Sequence, residues 1–400
     1  MSTIDEESTD EGRTIEETLE DAEPAAFDND EPLLELNDVE VHFKDEPLIE
    51  QALPQRVVER FGLGEEPVQA VDGISMEIGE RDIVVLVGES GSGKTTLGRT
   101  AIGLQEPTDG KVQYRGYDIQ AVEEGEYTGE VFFEDIRRAL QIVHQDANAA
   151  LNPYRTVRST LTEPLKLWYP DLDINDRHER ILSLLRTTGV TPAEEYMERY
   201  PHELSGGEKQ RIAIIRALLV EPDLILADEI VSALDVSLRI DTMNLLLDLQ
   251  EMFGTSFIFI SHNLANARYF ANKADGRIGV VYLGRIVEIG AAEEVINNPK
   301  HPYTEILKWA SIPLDPDEAR ETITEESPAM TNEPPDPADP PSGCRFNPVC
   351  PYAREICQQD DPELMSEGDS DYQAACFREI SNHEYWNSEA IHEEEPETPL

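Results

Sequence analysis

IVVLV at residues 83–87 runs directly into GESGSGKTT at residues 88–96. The five apolar residues predict a buried strand, and a helix is predicted to begin at about Lys94. Between them lies the pattern G-x-x-x-x-G-K-[ST], whose glycines let the backbone curl so that its N–H groups face a phosphate. A Gly/Ser-rich turn with an unrelated lysine is the alternative, and the flanking strand and helix argue against it. The sequence therefore predicts a nucleotide-binding loop.

The polar side chains of this loop have predicted roles of their own. Lys94 would bridge the β- and γ-phosphates, and the Thr95 hydroxyl would ligate Mg²⁺. The predicted nucleotide-binding residues of the loop are Gly88, Ser90, Gly91, Ser92, Gly93, Lys94, Thr95 and Thr96.

A second predicted strand, LILA at residues 224–227, ends in Asp228 and Glu229. In phosphate-loop proteins an acid at the end of such a strand holds Mg²⁺, and the adjacent acid can polarise the attacking water. By itself the acidic pair would fit a helix N-terminus about as well. Together with the loop, it predicts Asp228 as a magnesium residue and Glu229 as the general base.

LSGGEKQR at residues 204–211 lies between these two strands. Ser205 followed by Gly206 and Gly207 opens an apolar-periodic helix at 212–219, and the free N–H groups of a helix start bind anions. An ordinary N-cap with a flexible entry is the alternative. The chain then has two phosphate sites but one lysine loop. The simplest geometry is a head-to-tail dimer, with each nucleotide between one subunit's loop and the other's helix.

Residues 204–210 resemble the L-S-G-G-Q/E-x-Q signature of the ATP-binding-cassette (ABC) ATPases, and further family motifs follow the expected order. The resemblance implies that Gln145 reaches the Mg²⁺ and attacking-water region and that His262 senses the γ-phosphate. It also implies that Asp235 lies in a loop crossing the dimer interface and that Phe43 stacks on adenine.

The same resemblance implies an α/β fold: a P-loop NTPase cassette with a mainly parallel sheet, an antiparallel β-layer and a helical subdomain at about 146–215. It implies hydrolysis of ATP, with Mg²⁺ held by Thr95, Gln145 and Asp228. The implied catalytic residues are Glu229, His262, Gln145 and Lys94.

Two features depart from the family pattern. Ile230 stands where a proline usually follows the catalytic acid, although the acids themselves are retained. Asp45 to Glu66 form an unusually long spacer after the predicted first strand.

Several further pieces resemble one branch, the oligopeptide/dipeptide importer ATPases. They include YPHELS at 200–205, NPKHPYT at 298–304 and PPSGCRF at 340–346. TTLGR at 95–99 and NPYR at 152–155 look more like the second, F-type, ATPase subunit of such importers. The branch implies a second ATPase subunit (a paralogue or a second copy), two transmembrane permeases and an extracellular solute-binding protein. The transported solute would be a di- or oligopeptide or a similar compound.

All four cysteines lie near the end of the chain: Cys344, Cys350, Cys357 and Cys376. In a cytoplasmic protein such a group favours a metal site over disulfides, although zinc prefers closer pairs and unconnected buried thiols are the main alternative. Some peptide-importer ATPases carry a four-iron, four-sulfur cluster on four such cysteines. The resemblance therefore implies a [4Fe–4S] cluster here.

The charge balance is strongly acidic, with 83 Asp and Glu against 32 Lys and Arg and a net charge of −51. Such a surface repels phosphate backbones, so nucleic acid is not a predicted partner. The acid is spread along the chain, which is typical of a halophilic archaeon whose salty cytoplasm screens the repulsion. No stretch reaches the ~20 apolar residues that cross a bilayer, and the start has no signal-peptide pattern. We expect a peripheral protein on the cytoplasmic face of the membrane.

Composition divides the chain into four predicted parts. They are a disordered acidic tail at 1–32, the cassette at 33–295, a Pro-rich linker at 296–342 and a four-cysteine module at 343–400. A soluble ABC ATPase of DNA repair or translation is the functional alternative, but one P-loop and a short gap before the signature disfavour it. A degenerate, non-hydrolysing module conflicts with the retained Lys94, Asp228, Glu229 and His262.

Overall fold

The computed structural model describes residues 31–43, 67–127, 131–146, 151–311, 335–336, 338–366 and 370–391. Residues 1–30 of the predicted tail, the spacer at 45–66 and residues 312–334 of the predicted linker lie outside these ranges. Within the described ranges, no helix combines the length and the apolar character that crossing a bilayer requires.

A mixed sheet of eight strands forms the centre of the molecule, in the order β11-β12-β10-β9-β3-β8-β7-β6. The strands from β6 to β9 run parallel, whereas β10, β12 and β11 pair antiparallel at the other edge. Their bounds are β3 Ile83–Val87, β6 Leu140–Val143, β7 Leu224–Asp228, β8 Ser256–Ser261, β9 Arg277–Tyr282, β10 Arg285–Ala291, β11 Met365–Ser366 and β12 Gln373–Ala374.

Strand β3 lies between β8 and β9, and all five of its residues are buried. Its side chains enter two apolar cores, Val85 on one face and Val84 on the other, so both faces need apolar side chains and the apolar run is uninterrupted. A second, antiparallel sheet has the order β2-β1-β4-β5. Its strands are β1 Leu34–Phe43, β2 Val68–Ile78, β4 Asp109–Tyr114 and β5 Tyr117–Asp118. The mainly parallel core and the antiparallel layer are both as predicted.

Twelve α-helices surround the two sheets in the part of the chain that the structure describes. They are α1 Lys94–Ala101, α2 Ile119–Glu123, α3 Phe133–Ala139, α4 Val157–Trp168, α5 Ile174–Thr187, α6 Ala193–Glu198, α7 Gly206–Leu218, α8 Val236–Phe253, α9 Leu264–Lys273, α10 Ala292–Asn297, α11 Pro302–Ala310 and α12 Ile356–Gln359.

Helices α4, α5 and α6 build a helical subdomain with its own apolar core, inside the predicted range 146–215. Helix α7 begins at Gly206, as expected for a helix opened by Ser205, and Ser205 and Glu208 form a reciprocal capping box. Its buried side chains face two ways: Ile212 and Ile215 join the subdomain core, and Ile214 joins the core beneath the central sheet. The signature helix therefore ties the subdomain to the sheet.

The predicted boundaries at the C-terminal end need two corrections. The linker predicted at 296–342 starts too early, since α11 lies within it: Pro302 occupies the first turn, where its missing N–H costs nothing, and His301 caps the helix. The four-cysteine segment is also not a separate unit. Strand β12 pairs with β10, and Phe346 and Val349 belong to the core of the central sheet.

Candidate nucleotide site

The phosphate loop connects β3 to α1, with Gly88 buried at the strand end and Ser90 and Gly91 exposed. Gly93 shows why the motif requires glycine at this position. Its φ is +101°, and an added Cβ would lie 2.0 Å from the Ala70 carbonyl oxygen. A side chain would therefore be both strained and blocked, and the loop could not close against β2.

The Lys94 ammonium folds back onto its own loop. It donates to the carbonyl oxygens of Gly88 at 2.9 Å and Glu89 at 2.6 Å, and it lies 3.2 Å from the Ser92 hydroxyl. Burial lowers the pKa of Lys94, while the carboxylates of Glu229, Asp228 and Glu89 oppose that change. An arriving phosphate would find a positive charge already held at the loop.

The magnesium residues predicted from separate motifs are in contact. The Thr95 hydroxyl donates to the Asp228 carboxylate at 3.0 Å, although 133 positions separate them. Thr95 and Thr96 lie in the first turn of α1, and Asp228 is the last residue of β7. The loop that joins β3 to α1 and the end of β7 lie at the same edge of the parallel sheet. The Thr95 hydroxyl and the Asp228 carboxylate, which are oxygen ligands of the kind Mg²⁺ prefers, therefore lie together.

Three predicted catalytic side chains also converge. The Nδ1 atom of His262 lies 3.1 Å from the Glu229 carboxylate, and the Gln145 amide donates to the same carboxylate at 3.4 Å. Gln145 also donates to the Ser232 hydroxyl at 2.9 Å. The three residues follow the ends of three neighbouring strands, β6, β7 and β8.

Ile230, at the usual proline position, is 2 % exposed and belongs to the main apolar core. Glu229 itself has a φ of +51° and donates its N–H to the Ile260 carbonyl at 3.2 Å. The N–H and the hydroxyl of Ser232 both donate back to the Glu229 carbonyl. Burial and these hydrogen bonds fix the turn without a proline ring.

The signature residues lie at an open helix start. The Ser205 hydroxyl accepts from the Glu208 N–H at 3.3 Å, and both Ser205 and Gly206 are exposed. A Cβ added at Gly206 would meet nothing within 4 Å, and Gly207 has only Leu238 near it. Among the described residues, no hydrogen bond or ion pair joins Ser205 or Gly206 to the phosphate loop of the same chain.

The remaining two predicted residues have clear places. Asp235 caps α8 by accepting from the Leu238 N–H at 3.1 Å. Phe43 ends β1 and is 44 % exposed, which is high for a large aromatic side chain. An exposed ring at this end of the β-layer is available for stacking.

The four cysteines line one small cavity, and none forms a disulfide. Burial raises the pKa of all four thiols, to about 12 for Cys350 and Cys376. Backbone N–H groups that bond to the sulfur atoms oppose this rise; for Cys344, Cys350 and Cys376 the N–H belongs to the residue two positions on. Such N–H groups favour thiolates, so the donor set fits a cationic group.

The spacing of these thiols also bears on which group fits. In the described residues, the one set of three potential ligands whose atoms lie within 4.8 Å of one another is Glu40, His42 and Asp72. No three of the thiols are that close. Four sulfur atoms around one zinc would be about 3.8 Å apart, given Zn–S bonds of about 2.3 Å. As placed, no three of the thiols are therefore gathered as closely as the ligands of one zinc ion.

Two residues with structural importance at this site were not predicted. Tyr303 contacts the phosphate loop, and Arg345 bonds to Asp72, Gln69 and the Leu283 carbonyl. Both lie in segments quoted above for their resemblance, HPY at 301–303 and CRF at 344–346. The resemblance pointed to these segments. The Tyr303–Glu89 and Arg345–Asp72 contacts each span more than 200 positions, and no local pattern reveals such contacts.

Comparison with known proteins identifies the family of the chain. The family model described as ABC transporter matches residues 71–232. The model described as oligopeptide/dipeptide transporter, C-terminal region, matches residues 287–357. The two matches cover the phosphate loop, the signature and three of the four cysteines.

The matches to three curated relatives cover nearly the whole length of each relative. The oligopeptide transport ATP-binding protein AppF of Bacillus subtilis is 40% identical over 346 residues, which is 86% of this chain and 97% of that protein. The dipeptide transport ATP-binding protein DppF of Haemophilus influenzae is 41% identical, covering 78% and 90%. OppF of Salmonella typhimurium is 38% identical, covering 88% and 98%.

Solved structures share the fold. CbiO1 of Clostridium perfringens superposes with a TM-score of 0.53 at 22% identity, covering 67% of this chain and 91% of that one. The ATP-binding cassette MJ0796, a dimer with ADP and phosphate in a post-hydrolysis state, has a TM-score of 0.50 at 26% identity, covering 65% and 98%. The chain belongs to the ABC transporter family, among the ATP-binding proteins of oligopeptide and dipeptide transporters.

Proposed function

We propose that this chain is the ATP-hydrolysing subunit of an importer that takes up di- or oligopeptides, and that its phosphate loop and acidic pair carry the reaction. The single observation that supports this most is the convergence of Thr95, Asp228, Glu229, Gln145 and His262 beside Lys94. These residues come from distant parts of the chain, and each has a use in phosphoryl transfer to water.

The proposed mechanism relies mainly on positioning and charge neutralisation. The loop N–H groups and Lys94 hold the phosphates, with Lys94 moving from the Glu89 carbonyl to the β- and γ-oxygens. Glu229 takes the proton of the attacking water, and His262 steadies the leaving phosphate. Thr95, Asp228 and Gln145 would hold Mg²⁺, which neutralises phosphate charge when bound. Phe43 stacks on the base.

The signature helix acts on a partner's nucleotide in this proposal. Ser205 and Gly206 are exposed and Gly207 is half-buried at the start of α7, and a helix N-terminus attracts anions. Asp235 lies at the start of α8 and would cross the interface of a head-to-tail dimer. The dimeric state of MJ0796 supports this arrangement. The partner is a second ATPase subunit. It is either a paralogue that pairs with this F-type chain or another copy of the chain.

The partners beyond the dimer are two transmembrane permeases and an extracellular solute-binding protein. The chain would sit peripherally on the cytoplasmic face of the membrane. The names of the relatives, which are oligopeptide and dipeptide transport proteins, support a peptide as the solute. The net charge of −51, spread along the whole sequence, supports a halophilic source and disfavours nucleic acid as a partner.

We further propose that Cys344, Cys350, Cys357 and Cys376 hold a [4Fe–4S] cluster, which would bind the last segment of the chain to the cassette. Four thiols that line one cavity, two of them buried and two partly exposed, support it. Purified protein should contain about four irons per chain, be brown and absorb broadly in the visible. A colourless protein with one zinc would refute the cluster and leave the ATPase proposal intact.

The ATPase proposal is tested with Glu229→Gln, using Glu251→Gln as a control with the same acid-to-amide change on the exposed side of α8. Phosphate release from Mg–ATP should be lost in the first and normal in the second. Turnover at the wild-type rate in Glu229→Gln would refute the assignment of the base. Reconstitution with the permeases in vesicles should then give ATP-dependent uptake of a labelled dipeptide.

A further inference from the structure

Tyr303 is a nearly inaccessible residue in the first turn of α11, with 1 % of its surface exposed. Its hydroxyl accepts a hydrogen bond from the Glu89 N–H at 2.9 Å, across 214 positions of sequence. Glu89 is the second residue of the phosphate loop. A residue outside the nucleotide-binding motifs therefore contacts the backbone of the loop directly.

The Glu89 residue is held from two sides. Its N–H bonds to Tyr303, and its carbonyl accepts from the Lys94 ammonium at 2.6 Å and from the Ser92 N–H at 3.2 Å. When a nucleotide arrives, Lys94 must leave this carbonyl to reach the phosphates. The Tyr303 hydroxyl then remains as a side-chain contact that keeps the Glu89 backbone in its orientation.

The ring of Tyr303 continues the connection toward the cysteines. Its centroid lies 4.6 Å from that of Tyr282 and 5.6 Å from that of Phe346. Phe346 lines the cavity of the four thiols, and its own N–H bonds to the Cys344 sulfur. A packed path of two side chains thus joins the thiol cavity to the phosphate loop.

We propose that Tyr303 is a positioning residue of the nucleotide site, which preorganises the phosphate loop and couples it to the four-cysteine segment. The inference rests on the proposed ATPase function. Preorganisation increases affinity because the loop does not have to be ordered by the ligand. Without the hydroxyl, the Glu89 N–H loses its partner and the loop samples other conformations before ATP binds.

Coupling of this kind is reciprocal. If the cysteine segment stabilises the binding form of the loop, a bound nucleotide must stabilise the cysteine segment by the same factor. Hydrogen exchange in the peptide covering residues 344–357 should therefore slow when Mg–ADP is bound, although no residue of that peptide is proposed to touch the nucleotide.

The test compares Tyr303→Phe with Tyr282→Phe in the full-length protein. Both variants keep the aromatic ring in the same cluster and lose one hydroxyl. Among the described residues, the Tyr282 hydroxyl is buried with no hydrogen-bond partner, so its removal leaves nothing unsatisfied. Tyr303→Phe should raise KM for ATP about five- to tenfold, the factor expected for one neutral hydrogen bond, with kcat within about twofold.

Hydrogen exchange provides the second measurement. The loop peptide at residues 83–93 should exchange faster in Tyr303→Phe, and protection of 344–357 by Mg–ADP should shrink. A KM equal to that of Tyr282→Phe would overturn the proposal, as would a lower melting temperature with unchanged KM, which indicates a structural role alone. Absence of turnover in the wild type would instead count against the ATPase function itself.

Discussion

The Nδ1 atom of His262 lies 3.1 Å from the Oε2 atom of Glu229, and the Nε2 atom of Gln145 lies 3.4 Å from the same oxygen. Two side chains from neighbouring strand ends therefore orient one carboxylate. Glu229 is 21% exposed and His262 is 50% exposed, so water reaches the pair. This is the arrangement that a general base and its orienting partner require.

Glu229→Gln should reduce ATP turnover by about 10²- to 10⁴-fold, the usual contribution of a general base. His262→Ala should also be strongly impaired. Because the two residues act as a unit, the double variant should be little worse than the poorer single variant. Single-turnover phosphate release measures all three. Losses that multiply in the double variant would show that His262 acts independently of Glu229.

Gly206→Glu should abolish cooperation between subunits while leaving each subunit folded. Space is open at Gly206, and an acid in the first turn of a helix is favourable, so α7 should keep its stability. In a closed dimer the new carboxylate would face the partner's γ-phosphate. Like charges about 4 Å apart repel by about 4 kcal/mol near a protein surface.

We therefore expect turnover of Gly206→Glu to fall at least about tenfold, with nucleotide affinity of the monomer unchanged. Gly79→Glu is the matched control, since Gly79 also has no atom within 4 Å of an added Cβ and lies outside the site. Steady-state phosphate release and nucleotide titration measure the two effects. Normal turnover in Gly206→Glu would contradict the head-to-tail dimer.

His301 should make stability depend on pH below neutrality. Burial lowers the pKa of this imidazole to about 3, and Arg378 adds to the effect. The unfolded chain, with a pKa near 6.5, then binds a proton that the folded chain does not, so stability is lost as pH falls below about 6.5. From pH 7.5 to 5.5 the loss from His301 should be about 1 kcal/mol.

His301→Asn isolates this contribution. The Asn amide oxygen can replace Nδ1 as acceptor for the Tyr303 N–H, and it does not titrate. Glu288, whose raised pKa acts in the opposite direction, is present in both proteins. Urea unfolding at several pH values gives the difference. If the free energy of unfolding depends on pH equally in the wild type and the variant, His301 is protonated to the same extent in the folded and unfolded chains, which would contradict this prediction.

Salt should stabilise the folded protein. With a net charge of −51, repulsion among carboxylates opposes compaction, and the Debye length falls from about 10 Å at 0.1 M salt to about 3 Å at 1 M. The melting temperature should rise steeply with KCl and level off by about 1 M. An uncharged osmolyte at equal osmolality should give a smaller rise; an equal or larger rise would refute charge screening as the cause.

The phosphate loop was predictable from sequence because its chemistry is local. A buried strand, a glycine-rich turn and a helix start follow one another within residues 83–96, and each is encoded by its own residues. The same holds for the signature, since Ser205 and Glu208 cap the helix they begin. Even so, the linker boundary predicted at 296 was too early, because Pro302 starts a helix.

What the sequence determined by itself was therefore the set of motifs and the family they resemble. The tertiary structure alone decided which of these residues meet. The resemblance already implied that Thr95 and Asp228 share one Mg²⁺, but only the fold gathers four cysteines whose spacing is ambiguous and brings Tyr303 to Glu89. Such contacts depend on strand order and on helices packing between distant segments, and spacing along a chain carries no information about them.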